Sequence, residues 1–590
     1  LILLSDPSTP SSPRTAMDLD SLPQELIDQI SSYLKRNDLK NTLTLSPKFQ
    51  LAAEKYSGAF DEFELSRETA PQFVDTFGGR RFRYLQHLSF RTSLPPLDKA
   101  IDWNADVDNK IHSCRDTEEE LREADECFTD QIRFLFSAVK TVEDHAIAKY
   151  GPGRIKLTIY TPTRHIDRDN YCVHRAYVSW RVHLLNPEIL PSLASVGALR
   201  IENGISFFYH NPIDVLSLRK IDLKVLVDLS SKLPNIRALR CSIGGDEWLD
   251  CNQDGQLRYT TKDWAGPRRD SRQNFAKALQ AASIPSLRDA RLDFIAPFDG
   301  ANVFDQRKAF PNLVAPQNYD IFSSTLRVLS CQLRRFSLTA IVDHTLFWPT
   351  HGAFPSWPNL EILNVTFHIM TPSGEWYFNG LRNEGSKNGY FIDKTSYPPY
   401  AETAQDRASH DDFDWDDLVG GQYRVVPNNT TLVPLLTAFA TAAAYMPRLN
   451  QALLWAPLIL SVHGMTEDDF YEGLNVAELT NHVNGDVCEP LAWGIVYTAP
   501  NSEGFMDCRG RRVEGTRQIW WQVAKWRPDK MVHQMFRNIG QDKHGDNLIE
   551  YWEDDRNGTG LADQNDFERF EQQLFRDDYP TAKPRRNKYF

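Results

Sequence analysis

Leu233-Pro234-Asn235-Ile236-Arg237-Ala238-Leu239-Arg240-Cys241 is the stretch that decides the fold. A proline turn leads into aliphatic side chains spaced by three and then two, the pattern L-x-x-L-x-L. Its end alternates apolar and polar residues, as a short strand with one buried face does. The pattern recurs at Leu85…Leu88…Phe90, Val196…Leu199…Ile201, Leu287…Ala290…Leu292, Leu326…Leu329…Cys331 and Leu360…Leu363…Val365, with Leu449…Ala452…Leu454 a weaker copy. Proline steps precede two others, Trp357-Pro358-Asn359 and Met446-Pro447-Arg448. Helical patterns lead into some copies, as at Leu223 to Leu233 and Thr431 to Met446.

A helix, a proline turn and a short strand repeated along a chain is the mark of an α/β solenoid. The spacing between copies is irregular, and the Asn that follows the strand in leucine-rich repeats is missing, so the repeats are degenerate. The expectation is a single, mostly parallel sheet over residues 67–590, with Leu199, Leu239, Leu329 and Leu363 buried at equivalent places. Two insertions interrupt it: a polar loop at 251–275, and residues 372–430, rich in Gly, Asp and Tyr. Residues 104–150 read as helices, with Glu118-Glu119-Glu120 on a solvated face. Further on, Leu491 to Tyr497 and Gln518 to Trp526 read as strands, and Lys530 to Ile539 as a helix.

Composition bounds the class. With 41% hydrophobic and 25% charged residues, the chain has an ordinary folded composition. Its net charge of −13 opposes binding to phosphate backbones, so no nucleic-acid partner is expected. No apolar run reaches about 18 residues, so no membrane span is expected. Leu432 to Met446 comes nearest and reads as a buried helix. The eight cysteines are scattered with no C-x-x-C pair, which points to reduced thiols and no structural zinc. A cytoplasmic or nuclear protein follows, with residues 1–17 as a disordered leader.

Ahead of the repeats, residues 18–66 form a different unit. Leu22, Leu26, Ile30 and Leu34 recur at spacing four along one helical stripe. Ser21 is placed to cap that helix and Pro23 suits its first turn. Asn37-Asp38 starts a second helix carrying Leu39, with Leu43 and Leu45 continuing its apolar face. Pro47 starts a third, with Phe49, Leu51, Ala52 and Ala53.

The run Leu22-Pro23-x-Glu25-Leu26, then Ile30, Tyr33-Leu34, Asp38-Leu39, Leu43, Leu45-Ser46 and Phe49, resembles the F-box family. Family members usually end with Val-Cys and an aromatic residue; here Leu45-Ser46 and Phe49 stand in those places. The remainder resembles large fungal-type F-box proteins with a degenerate leucine-rich-repeat-like region. The resemblance implies a Skp-type adaptor docked on Leu22, Pro23, Glu25, Leu26, Ile30, Leu34 and Leu39, and through it a cullin scaffold. It further implies a substrate-recognition subunit of a ubiquitin ligase, taking an unidentified protein substrate on its repeats. Physically, the aliphatic stripe exceeds what three short helices can bury among themselves.

No G-x-S-x-G, H-E-x-x-H, P-loop or G-x-G-x-x-G occurs, so no catalytic residue, cofactor or metal ligand is assigned. Asp411 to Asp417, with five Asp beside Phe413 and Trp415, lacks the Gly and terminal Glu of a calcium loop. It reads as a solvated loop, with attraction for a basic peptide as the functional alternative. The competing reading of the whole chain is an enzyme whose active site lies in residues 372–590.

Overall fold

The computed structural model describes residues 21–95, 115–150, 154–164, 180–203, 219–243, 265–295, 306–307, 309–349, 354–380, 387–401, 403, 424–461, 488–505, 515–552 and 561–575. Three short helices come first: α1 (Gln24–Ser32), α2 (Arg36–Thr42) and α3 (Pro47–Tyr56). Strands and helices then follow as β1 (Glu62–Leu65), α4 (Ala70–Phe77), β2 (His87–Ser93), α5 (Glu118–Tyr150), β3 (Ile155–Thr163), β4 (Val196–Glu202), α6 (Lys224–Ser231), β5 (Ala238–Ser242), α7 (Ala265–Ala281), β6 (Asp289–Asp293), α8 (Ile321–Ser330), β7 (Arg335–Ala340) and β8 (Ile362–Phe367). The rest comprises β9 (Phe378–Gly380), β10 (Arg424–Pro427), α9 (Asn429–Ala444), β11 (Gln451–Ser461), β12 (Cys488–Thr498), β13 (Arg517–Gln522), α10 (Lys530–Arg537), α11 (Gln541–His544), β14 (Leu548–Trp552), β15 (Ala562–Asp563) and α12 (Gln564–Leu574).

Thirteen of these strands make one mixed but mostly parallel sheet. Strands β1 to β8 and then β11 lie side by side in sequence order, each parallel to the last. Strands β12 and β13 are antiparallel additions, β14 is parallel to β13, and β15 pairs with β12. Parallel neighbours need a crossover, and helices supply it after β1, β2, β4, β5, β6, β8 and β13.

The registers explain the spacing of the repeated pattern. Phe63, Leu88, Leu157, Leu199, Leu239, Ala290, Phe336, Leu363 and Ala452 form one continuous row across the sheet. Two residues along, Phe90, Ile159, Ile201, Cys241, Leu292, Leu338, Val365 and Leu454 form a second. Helices α4 to α10 pack on these rows, contributing Phe73, Ile132, Leu226, Phe275, Phe322, Phe439 and Phe536 to one core. Nearly all of these side chains are fully buried.

Several expectations need correcting. Leu326…Leu329…Cys331 is not a strand: Leu326 and Leu329 lie on α8 and Cys331 caps its end. With Phe322 they make a helical stripe at i, i+4 and i+7, which shares the L-x-x-L spacing with the repeat. Asp320 fixes this helix by accepting from Phe322 N and Ser323 N. The strand copy is Leu333…Phe336…Leu338, so Phe336, and not Leu329, sits beside Leu363. Strand β3 escaped the pattern because Arg154 stands where the first aliphatic residue would be. The expected loop at 251–275 is partly helix, since α7 begins at Ala265. Residues 372–430 are not one open loop either: β9 and β10 pair antiparallel, and Trp376, Tyr377, Phe378 and Arg424 are buried there. The acidic segment 411–417 and the leader 1–17 lie outside the described residues. Leu432, Leu435, Leu436 and Phe439 are buried, as expected for a core helix. Among the described residues no helix is long and apolar enough to cross a membrane.

One ionic contact ties the long helix α5 to the crossover before α6. His183 lies 3.4 Å from Asp125 and 3.6 Å from Asp222. Desolvation alone lowers the imidazole pKa; the two carboxylates outweigh it and raise it to about 9. A folded-state value above the ordinary 6.5 adds stability that is complete below the unfolded pKa and lost as pH rises through 9. Because His183 is half exposed, the expected contribution is about 1 kcal/mol. Denaturant melts should weaken between neutrality and pH 9 by that amount, and His183→Asn should remove the decline. An identical decline in the variant would discount the contact.

Candidate functional site

Three-helix unit: the apolar stripe faces outward. On α1 the residues turned inward are Ile27 and Ser31, both buried. Ile27 packs with Phe49 and Ala52 of α3, and Leu22 rests against that cluster. Leu26 and Ile30 are 46% and 44% exposed, the reverse of what a surface helix does with its apolar stripe. The cause is local: Ala52 presents a small side chain in the cluster with Ile27, and Ile27 fills the space available.

The other expected docking residues divide. Pro23 is the N-cap of α1, with no side-chain cap bond, so the role expected of Ser21 falls elsewhere. Glu25 is exposed in the first turn of α1. Leu22 and Leu34 are half-buried and lie outside the helix. Leu39 is 2% exposed and belongs to the packing beneath the surface. Helix α2 starts at Arg36, one residue before Asn37-Asp38, with Lys35 as its N-cap. Tyr33 at 80%, Leu45 at 57% and Leu43 at 40% exposure add apolar surface that was not among the expected contacts. Their signal in the sequence is position: Tyr33 and Leu43 are helix C-caps and Leu45 follows in the turn, so helical periodicity does not point them inward.

The unit is held together and to the sheet by defined polar contacts. Lys48 Nζ donates to Leu22 O at 2.8 Å, and Lys55 pairs with Asp28 at 2.7 Å, joining α1 to α3. Ser46 accepts from Phe49 N and caps α3, and Pro47 starts that helix as its sequence implies. Glu54 on α3 is 3% exposed and receives both guanidinium groups of Arg80 and Arg81, at 3.0 and 2.6 Å. Removing a buried partner strands the other charges, but the arginines are one-third exposed and rehydrate in part. Glu54→Ala is therefore expected to weaken the docking of the helices by about 1–3 kcal/mol. Limited proteolysis in residues 57–61 should speed up while the melt of the sheet stays put. Unchanged cleavage would mean that the clamp is unimportant.

Polar sheet face: the second surface lies opposite the helices. Glu64, Ser89, Thr158, Arg200, Arg240, Arg291, Ser337 and Asn364 occupy one cross-strand row there. The next residue in that row is Leu453, and the face turns apolar. Leu453, Trp455, Val496 and Trp520 then need cover, and Phe505 with Phe567, Phe570 and Leu574 of α12 provides it. Helix α12 crosses from β11, where Gln564 donates to Leu458 O, to β7 and β6, where Glu571 meets Ser337 and Arg291. A cleft of about 210 Å³ lies beneath it.

Within residues 372–590, His533 Nε2 and Glu550 Oε2 share a hydrogen bond at 2.5 Å. Trp521 Nε1 also donates to Glu550, and Trp521 and Trp552 pack edge-on against the imidazole. This arrangement braces β13 and β14 against α10. Among the described residues no group of three or more His, Cys, Asp or Glu is placed to hold a metal ion. No protein-family model matches the chain. No curated protein matches it.

Proposed function

We propose that this chain is the substrate-receptor subunit of a Skp–cullin–F-box ubiquitin ligase. The observation that carries the reading is the pair Leu26 and Ile30, turned to solvent on a three-helix unit whose sequence resembles the F-box. Large aliphatic side chains exposed in register on one helix mark a docking surface. Leu22, Pro23 and Glu25 at the start of α1 would frame the adaptor contact, Leu34 would extend it, and Leu39 would support it from below. The chain would contribute no catalytic residue of its own, and the cullin scaffold would be reached through the adaptor.

On this reading the sheet is a degenerate leucine-rich-repeat-like solenoid. Its in-register rows, one strand per unit from β1 to β8, support that assignment. The polar face opposite the helices would receive the protein substrate, and a cytoplasmic or nuclear location would follow. Coexpression with a Skp-type adaptor tests the proposal: a one-to-one complex that survives gel filtration is expected. Two separate peaks at micromolar concentration would overturn it.

A further inference from the structure

The turn after β7 is joined to the start of α8 by two aspartates. Asp320 is the N-cap of α8, and Asp343 is the N-cap of a short 3-10 turn, His344–Leu346. Ser323 Oγ stands between them, donating to Asp320 Oδ2 at 2.6 Å and accepting from Asp343 N at 3.3 Å. Thr345 Oγ1 joins them again, lying 3.4 Å from Asp320 O and 2.5 Å from Asp343 Oδ1. Arg272 of α7 donates to Asp320 Oδ2 at 2.8 Å, its guanidinium held over the Phe322 ring. Among the described residues no guanidinium or ammonium pairs with Asp343 in the same way.

The ionisable groups around Asp343 can be named element by element. Helix α8 brings Asp320 and also Arg327, whose Nε donates to Thr345 O at 3.1 Å. Helix α7 brings Arg272, and the turn itself carries His344. Helix α9, packed on the turn through Phe439 against Phe347, has no ionisable residue. Tyr377, whose OH donates to Val342 O at 2.8 Å, comes with Glu375 from the segment after β8. Desolvation, and after it the charge of Asp320, outweigh the Thr345 bonds and His344 and push the Asp343 carboxyl from 3.8 up to about 6. A carboxyl raised on folding adds stability that is complete below the unfolded value and lost as pH rises through the folded one.

The same turn positions an aromatic patch. Trp348 N donates to His344 O at 3.0 Å, and the Trp348 ring packs with Phe354 and Tyr445, both exposed, at 5.6 and 5.5 Å. We propose that Asp343 is a proton-operated latch on this turn: protonated, it holds the turn against α8 and α9, and ionised, it loosens the turn and shifts the packing of Trp348. The proton comes from solvent onto Oδ2, since Oδ1 takes the bonds from Thr345 N and Oγ1. The latch does not depend on the ligase reading.

The test uses the full chain with nitrogen-labelled tryptophan, the Trp348 indole signal being assigned with Trp348→Phe. Across pH 5 to 7.5 that signal is expected to move with a midpoint of about 6. Asp343→Asn, neutral and of the same shape, should hold the signal at its acid position throughout. His344→Gln should leave the titration in place. Denaturant melts give a second readout: relative to Asp343→Asn, the parent should lose about tenfold in its folding constant between pH 5 and 7.5, a comparison in which the titration of His183 cancels. A flat signal in the parent, a titration that persists in Asp343→Asn, or one that disappears in His344→Gln would overturn the latch. Melts of the parent and Asp343→Asn that run parallel across this range would overturn it too.

Discussion

The Leu26→Asp/Ile30→Asp double variant is expected to lose adaptor binding by a hundredfold or more while melting as the parent does. Fully burying an exposed Leu or Ile side chain is worth about 1.5–3 kcal/mol, so covering the exposed half of two such anchors contributes about 1.5–3 kcal/mol in all. Placing two carboxylates there adds their desolvation. The fold should tolerate the change, because both side chains already face water and exposed substitutions usually fall within about 0.5 kcal/mol. The carboxylate replacing Leu26 would lie in the first turn of α1, where negative charge is favoured; the one replacing Ile30, near the helix end, carries a small penalty. Calorimetric titration with the adaptor and a thermal melt separate the outcomes. Full binding by the double variant would remove the docking surface from α1. A lowered melt would mean that the stripe is structural.

Phe336→Ala is expected to cost about 3–5 kcal/mol, and Val328→Ala less than about 0.5 kcal/mol. Phe336 is 1% exposed in the row between Ala290 and Leu363, whereas Val328 is 63% exposed on α8. Truncation of a large ring opens a cavity that the flanking rows, fixed by strand hydrogen bonds, cannot close. Equilibrium unfolding in denaturant measures both. Equal, small effects would put the strand copy back at Leu326 to Cys331 and break the row.

That pair of variants also marks how far the sequence could be read. The repeated strand was legible wherever a proline turn preceded it, as at Leu233 and Trp357, because the turn separates the strand from its helix. It was misframed at Leu326, where helix α8 runs almost directly into β7 and both elements satisfy L-x-x-L. Strand β3, lacking the first aliphatic residue, gave no signal although Leu157 and Ile159 fill the same rows. The stripe on α1 was legible as a pattern but not in its orientation. Periodicity predicts that Leu26 and Ile30 share a face; only packing against Ala52 and Phe49 decides that Ile27 is the residue buried. The cleft was not legible at all. Its lining comes from β6, β7, β8, β11 and α12, and a run such as Glu568 to Gln572 resembles any amphipathic helix until it is laid on the sheet.

Hydrogen exchange of the full chain, with and without a Skp-type adaptor at saturating concentration, locates the adaptor on or off the three-helix unit. Docking on α1 should slow exchange across residues 22–45, spanning Leu26, Ile30 and Leu45, with β4 to β8 unchanged. Exchange that is unaltered there, or slowed only on the sheet, would contradict it.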